Sequence, residues 1–290
     1  MDEYMISTSS TADLPMSYIE ENDLVFMPFT FIVNGREYKK GTKNTMPIKE
    51  FYNKIREGAM PSTSQVNVTD YVEKFEPFLK EGKDIIHIAF SSGLSGSCNS
   101  AMLAAEELKE QYPDRQIYVV DTLSATLGYG MLVQTAVDMK KEGKSIKEVY
   151  KWLESNKLNM HHWFTVDNLF HLKRGGRLSG TAATLGTMLH VKPVLTVDHE
   201  GHLVPREKVR GRKKSLVTLV DKMEELGRDI GSHRVCVTHA DCPQDAEYVK
   251  ELILKRFPGV KDITIGYIGP VLGAHTGTGA VALMFMGKSR

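Results

Sequence analysis

The stretch from Asp84 to Ala104 constrains this chain more than any other. Ile85 to Phe90 is a short, nearly continuous apolar run, the pattern of a strand buried on both faces of a parallel sheet. From Cys98 onward the apolar residues recur at helical spacing. Between them lies a hinge of Ser91, Ser92, Gly93, Leu94, Ser95, Gly96 and Ser97. A strand that turns through Ser and Gly into a helix N-terminus presents free N–H groups, a favourable helix dipole and hydroxyl donors to an anion. No Gly-Lys-Ser/Thr follows and no G-x-G-x-x-G is present, so the hinge is neither kind of nucleotide loop. Its chemistry fits a carboxylate or a phosphate. The plain alternative is that Ser and Gly only make the turn and cap the helix.

The rest of the first half repeats the theme. Met5 to Ser7 reads as a strand running into S-T-S-S-T-A-D-L-P, where Asp13 or Thr11 is placed to cap a helix carrying Pro15 in its first turn. Leu24 to Val33 reads as a strand interrupted at Pro28, and Asn34-Gly35 as a tight turn into a hairpin. A helix is expected over Pro47 to Glu57, a hydroxyl-rich loop over Met60 to Gln65 and a helix over Thr69 to Lys80. Gln116 to Val120 is a strand ending in a Thr/Ser-rich loop before a helix from Tyr129 to Glu142. Ser145 with Glu148 forms a capping box for the next helix. In open α/β sheets ligands bind beyond the carboxyl ends of the strands, so the loops after Ser7, Phe90 and Val120 are expected to converge on one crevice.

Near Lys157 the character changes. Strands are expected over Trp163 to Leu169, Val191 to Val197, His202 to Arg210, His233 to His239 and Ile263 to Ile268. Helices are expected over Ala182 to Leu189, Arg212 to Leu226 and Gln244 to Arg256. His171 to Thr181 reads as a loop, and Glu200-Gly201 as a hairpin turn. Hairpins among helices imply a mixed sheet. At 290 residues, two domains are expected, 1–157 and 158–290.

Charge and cysteine content exclude some functions. A net charge of +1 gives no global field for nucleic acid or an anionic membrane. No run is long enough to span a bilayer and no signal-peptide pattern opens the chain. Cys98, Cys236 and Cys242 form no C-x-x-C pair and read as free cytosolic thiols. No G-x-S-x-G elbow is present. His161 and His162 are adjacent, so in a strand they face opposite ways and cannot share a metal. His199 and His202 only bracket a turn, and no carboxylate or thiolate stands at ligand spacing, so no metal is expected. His275, in G-A-H-T-G-T-G, reads as part of a glycine-flanked turn where an imidazole and N–H groups face an anion together. The basic clusters are Lys173-Arg174-Gly175-Gly176-Arg177 and Arg206 to Lys214; they fit either a salt-bridged surface or a docking site for a phosphate-carrying partner.

Taken in order, P-S-T-S-Q at 61–65, S-S-G-L-S-G-S at 91–97, V-D-T-L-S-A-T-L-G-Y-G at 120–130, K-R-G-G-R-L-S at 173–179, K-P-V-L at 192–195 and G-P-V-L-G-A-H-T-G-T-G at 269–279 resemble the DegV family across essentially the whole chain. The resemblance implies an N-terminal three-layer α/β/α domain with a parallel sheet and a C-terminal two-layer α/β domain with a mixed sheet. It implies a bacterial, cytoplasmic carrier, not an enzyme and without a cofactor, that holds one long-chain fatty acid in a tunnel with its head group between the domains. It also implies a partner, a fatty acid kinase that converts the carboxylate to an acyl phosphate for phospholipid metabolism. Carried over by motif, Thr63, Ser95, Gly96, His275 and Thr276 are the ligand-binding residues, and Arg174, Arg177, Arg210 and Arg212 face the cleft and the partner. Two departures stand out: Ser9 where the family usually has Asp, and Cys98 before Asn99 where an aromatic is common. The alternatives are a hydrolase or phosphotransferase using Ser95 or His275 directly, and a fatty-acid-responsive regulator. About sixteen buried methylenes at ~0.8 kcal/mol each would contribute about 13 kcal/mol of gross transfer energy, much of it opposed by ordering costs.

Overall fold

The computed structural model describes residues 3–167, 169–178 and 191–290. Its first sheet grows from apolar runs that leave no solvent face. Strands β1 (Tyr4–Ser9) and β6 (Asp84–Ala89) are buried at every residue and lie side by side, flanked by β2 (Val25–Met27) and β7 (Ile117–Asp121) in the order β2-β1-β6-β7, all parallel. The apolar run through Pro28 does break there. Its second part, β3 (Thr30–Val33), leaves for a small antiparallel sheet with β4 (Arg36–Lys39) and β5 (Ser62–Ser64). Asn34 and Gly35, at φ 50° and 77°, make the turn between β3 and β4. The expected loop at 60–65 is therefore partly strand: Thr63 pairs with Phe31.

Helices α1 (Met16–Glu21), α2 (Ile48–Arg56), α3 (Val68–Lys80), α4 (Ser97–Gln111), α5 (Thr126–Lys141) and α6 (Ile146–Asn156) complete the first half. Neither Thr11 nor Asp13 caps α1, whose N-cap is Pro15. Asp13 instead takes a left-handed backbone, φ 56°, and its carboxylate accepts from Thr126 Oγ1 at 2.7 Å. The Ser145–Glu148 capping box forms as expected. Helices α3 and α4 pack on each other and on β6, whereas α5 and α6 pack on each other and on β1, β6 and β7. This is a three-layer α/β/α arrangement around a parallel sheet.

The second sheet is mixed, in the order β10-β9-β8-β13-β11-β12. Its strands are β8 (Met160–Thr165), β9 (Val191–Val197), β10 (Leu203–Arg210), β11 (Val235–His239), β12 (Ile263–Tyr267) and β13 (Val281–Met286). β8 begins three residues before the expected strand, its start hidden by two polar residues, His161 and His162, that are nevertheless buried. Side-chain alternation sorts this sheet into two faces. Trp163, Leu283, Phe285 and Val237 meet α8 (Arg212–Leu226) and α9 (Pro243–Arg256) in one core cluster. Phe164, Ala282, Met284 and Cys236 face the other way, into the core that also holds the parallel sheet.

α5 joins the two sheets, touching β1 on one side and β8, β11 and β13 on the other. It is buried through most of its length, as a helix with no polar face must be. It starts one turn before the expected Tyr129 because Gly128 and Gly130 dilute its helical signal. Both are required by close approach: a Cβ at Gly128 would stand 2.2 Å from His162 Nε2, and one at Gly130 2.7 Å from the Ala12 carbonyl oxygen. The loop expected from His171 begins as a helix, α7 (Phe170–Arg174), and the glycine-flanked turn read at His275 falls in another, α10 (Pro270–Thr276), started by Pro270 at its first position. The helix expected over 182–189 lies outside the described residues.

Tyr129 on α5 ties the layers together. Its hydroxyl donates to the Ile88 carbonyl at 2.6 Å and accepts from Thr8 Oγ1 at 2.6 Å and the Ser9 N–H at 2.9 Å. Tyr129→Phe strands three buried groups at once. It should cost about 1–3 kcal/mol in urea unfolding; a loss below ~0.5 kcal/mol would show that the hydroxyl is dispensable.

Candidate functional site

The Ser-Gly hinge after β6 is first of all a built turn. Ser91 Oγ accepts from the Gly93 N–H at 3.2 Å and donates to the Gly201 carbonyl at 2.9 Å, fastening the hinge to the β9–β10 hairpin. The hairpin passes so close that a Cβ at Gly93 would lie 2.6 Å from the Glu200 carbonyl oxygen. Ser97 Oγ is bonded to Tyr71 OH at 2.8 Å in the core. Ser95 Oγ accepts from the Ser97 N–H at 3.2 Å, and Ser95 also lines a cavity. Capping thus accounts for part of the hydroxyl pattern, and Ser95 is left with a hydroxyl hydrogen to offer.

That cavity, of about 370 Å³, lies between the carboxyl ends of the parallel strands and the inner face of the mixed sheet. Its volume is in the range of small-molecule sites, about 300–1,000 Å³. The loops after β6 and β7 reach it through Phe90, Leu94, Ser95, Ala125 and Thr126. The loop after β1 does not line it; that loop is buried and holds α5 through Asp13 and Thr126. Most of the wall is apolar: Phe29, Phe164, Leu172, Val197, Leu203 and Ala282 come from six different elements or their joins.

Polar groups collect where β5, the hinge, α7 and α10 meet. Thr63 Oγ1 and His275 Nε2 are hydrogen-bonded at 2.9 Å. Arg177 Nε donates to the Leu94 carbonyl at 3.1 Å, beside Ser95. Arg174 Nη2 donates to the carbonyls of Pro61 at 2.9 Å and Ala274 at 3.0 Å, fixing the strand that carries Thr63 to the helix that carries His275. Thr63, Ser95, His275, Thr276 and Arg177 all line the cavity. Gly96 does not; it is exposed, and its backbone meets the Gln65 side chain, which does line it. Arg174 acts on the site through its neighbours.

Arg210 and Arg212 lie elsewhere. Arg210 is exposed at the end of the edge strand β10. Arg212 is engaged within its own half, with Nε and Nη2 on Asp245 Oδ2 at 2.9 and 2.7 Å and Nη2 on the Gly279 carbonyl at 2.7 Å. His275 sits in the last turn of α10, not in an open turn, so the turn N–H groups expected beside it give way to Thr63 and the nearby charges of Arg174 and Arg177. The two adjacent histidines face opposite ways, His161 stacking on Phe285 and bonding the Lys288 carbonyl, His162 entering the cavity wall. His162, Gln65 and the apolar lining escape sequence reasoning; alternation along β8, with Phe164 two residues on, is the signal that places His162 on the inner face.

Electrostatics favours an incoming anion without demanding one. Burial, then the charges of Arg177 and Arg174, pushes His275 down to about 4, so it is neutral near pH 7. Among the described residues no acid accepts from its Nδ1, which lacks a partner. A hydrolytic triad needs such an orienting group on the base.

A family model described as "Uncharacterised protein, DegV family" matches residues 4–288. A DegV domain-containing protein of Clostridium perfringens is 47% identical over 100% of this chain and 99% of its own. The chain belongs to the DegV family. The crystal structure of DegV from Bacillus subtilis, described as a fatty acid binding protein, superposes with a TM-score of 0.85 at 30% identity, covering 99% of this chain and 100% of that one. A stearic acid-binding protein from Eubacterium ventriosum superposes with a TM-score of 0.85 at 26% identity, covering 99% of both chains.

This DegV family member should lose stability in mild acid. Unfolded, His275 titrates near ~6.5, but in the fold it stays neutral down to about 4. Between those values the unfolded chain binds the extra proton, so stability falls as pH drops through this window. Asp13 opposes this: burial raises it to about 6, against the pull of Lys40, Thr126 and Gly269, so its contribution falls as pH rises from ~3.9 toward 6. His275→Gln should therefore flatten the decline of urea-unfolding stability between pH 7 and 5, by up to about 1.4 kcal/mol per pH unit. An unchanged slope would show that His275 is not held neutral.

Proposed function

We propose that this protein binds one long-chain fatty acid in the cavity, with its carboxylate at Thr63, Ser95, His275 and Arg177. The carrying observation is the division of the wall, an apolar length ending in one cluster of hydroxyls, an imidazole and a guanidinium. A carboxylate taken out of water needs charge-assisted donors, and an acyl chain needs only apolar surface. The fatty acids bound by the Bacillus and Eubacterium relatives support the same reading.

The reading extends to a carrier role. The protein acts in the cytoplasm and presents the carboxylate to a fatty acid kinase, with Arg177 and the outer nitrogens of Arg174 toward the transferred phosphate and the exposed Arg210 on the partner side. Arg212, held by Asp245, acts structurally. The chain divides between residues 157 and 158, with β1–β7 before the division and β8–β13 after it, and the ligand lies between the two parts. Ser95 as a nucleophile finds less support, because His275 is bonded to Thr63 and lacks an orienting acid among the described residues.

Native mass spectrometry of the purified chain should show one retained fatty acid, and the bare mass alone would count against the carrier role. Thr63→Ala and Ser95→Ala each remove one charge-assisted bond, worth roughly 1.5–3 kcal/mol, so affinity should fall ~10- to 150-fold with the fold intact. Unchanged affinity in both variants, measured beside the melting temperature, would sink the head-group assignment. An acyl–serine adduct in the wild-type protein would instead establish Ser95 as a nucleophile.

A further inference from the structure

Helix α4 starts without a side-chain cap. Its N-cap is Gly96, and the N–H of Ser97, the first helical residue, is taken by Ser95 Oγ at 3.2 Å. Serine is favoured at helix starts because its hydroxyl bonds readily to nearby backbone groups. Ser97 stands at such a start, yet its hydroxyl is turned the other way. It is hydrogen-bonded at 2.8 Å to the hydroxyl of Tyr71 on α3, and both residues are buried. The Tyr71 ring is fixed by packing of its own, edge-on to His87 with ring centres 5.0 Å apart and tilted against Phe75 at 5.6 Å. The phenol therefore has a set place, from which it holds the Ser97 hydroxyl in the core.

Two residues earlier lies a group that needs its hydroxyl free. Ser95 lines the cavity, and Arg177 Nε donates to the carbonyl of the adjoining Leu94. Ser95 Oγ accepts from the Ser97 N–H, so its own hydrogen is left for another acceptor. A Ser97 hydroxyl released from Tyr71 would compete for the groups at this helix start, Ser95 Oγ among them.

We propose that Tyr71 is a positioning residue for the ligand carboxylate: by holding the Ser97 hydroxyl in the core, it keeps the Ser95 hydroxyl free to donate to the carboxylate. The proposal rests on the fatty acid reading of the cavity and on Ser95 as part of its head cluster. Tyr71 itself does not line the cavity and acts through Ser97. A hydroxyl donor gives a carboxylate roughly twice what it gives a neutral acceptor. Misplacing Ser95 therefore costs a fatty acid more than the alcohol of equal chain length, whereas a loss of packing weakens both alike.

The test measures the affinity of the full chain for octadecanoic acid and for octadecan-1-ol, by displacement of a fluorescent acyl probe. Tyr71→Phe keeps the ring against His87 and Phe75, and the melting temperature checks that the fold stands. It should weaken the acid ~3- to 10-fold and the alcohol clearly less. Adding Ser97→Ala should restore the acid, because the released hydroxyl is then gone and both partners of the buried pair are removed together. In a Ser95→Ala background, Tyr71→Phe should weaken the acid no further. Equal weakening of acid and alcohol, no change in the acid, a full effect persisting in Ser95→Ala, or no restoration by Ser97→Ala would each overturn the proposal. Ser97→Ala alone, the second arm should Tyr71→Phe not fold, is expected to keep the acid preference of the wild type. A loss there as large as that of Ser95→Ala would also overturn the proposal. If the wild-type chain binds neither acid nor alcohol, the fatty acid reading itself fails and the proposal with it. If the acid binds but Ser95→Ala leaves its affinity unchanged, the head-group assignment fails instead, again taking the proposal with it.

Discussion

The fold depends on a helix that has no outside. α5 packs against the parallel sheet through β1 and against the mixed sheet through β8, β11 and β13, so almost every side chain on its first three turns is buried. Such a helix cannot be amphipathic, and its separation from its neighbours is set by the smallest residues it carries. Gly128 and Gly130 bring it against His162 and the Ala12 carbonyl, and Ala136 continues the close packing. The cost is a weaker intrinsic helix, since each interior glycine loses about 1 kcal/mol relative to alanine. Tertiary packing and the Tyr129 hydroxyl offset it. The cavity follows from the same arrangement: it opens at Ala125 and Thr126, where α5 begins and no longer fills the space between the sheets.

The parts legible in the sequence were those where one physical demand fixed the residue types. Strands buried on both faces favour nearly continuous apolar runs, and β6 was readable for that reason, whereas β1 ends in buried hydroxyls, Ser7, Thr8 and Ser9, and β7 is only partly buried. The bounds of β9 and α8 were readable to the residue, Val191–Val197 and Arg212–Leu226, because a hairpin and a clear helical period bracket them. Elements were lost where a residue served two demands. The glycines of α5 and α10 serve close packing yet read as turn signals. Thr63 belongs to an edge strand and to the cavity, and its hydroxyl-rich surroundings read as loop. His161 and His162 are polar in a strand that is buried throughout.

The candidate site shows the same split. Local motifs carry Thr63, Ser95, His275, Thr276 and Arg177, and the fold brings all five to one cavity from distant segments. The arginines were harder, because charge and spacing do not say what a guanidinium will reach. Arg174 reaches two backbone carbonyls and sets the position of its neighbours, whereas Arg212 reaches Asp245 and leaves the site altogether. The apolar wall was not legible at all. Phe29, Leu172, Val197 and Leu203 are ordinary core residues in sequence, and only topology makes them one surface.

The division of labour in this cavity has a consequence for specificity. An apolar wall gains free energy from each methylene in nearly the same amount, so it measures length and shape but is indifferent to where along the chain a difference lies. Polar groups behave oppositely: each contributes little net stabilisation when matched and a larger penalty when left alone. On the proposed reading, the polar cluster of Thr63, His275 and Arg177 would set which end of the ligand enters and where it stops, while the apolar length would supply the affinity. With the head fixed, every position on the wall corresponds to a fixed carbon of the chain.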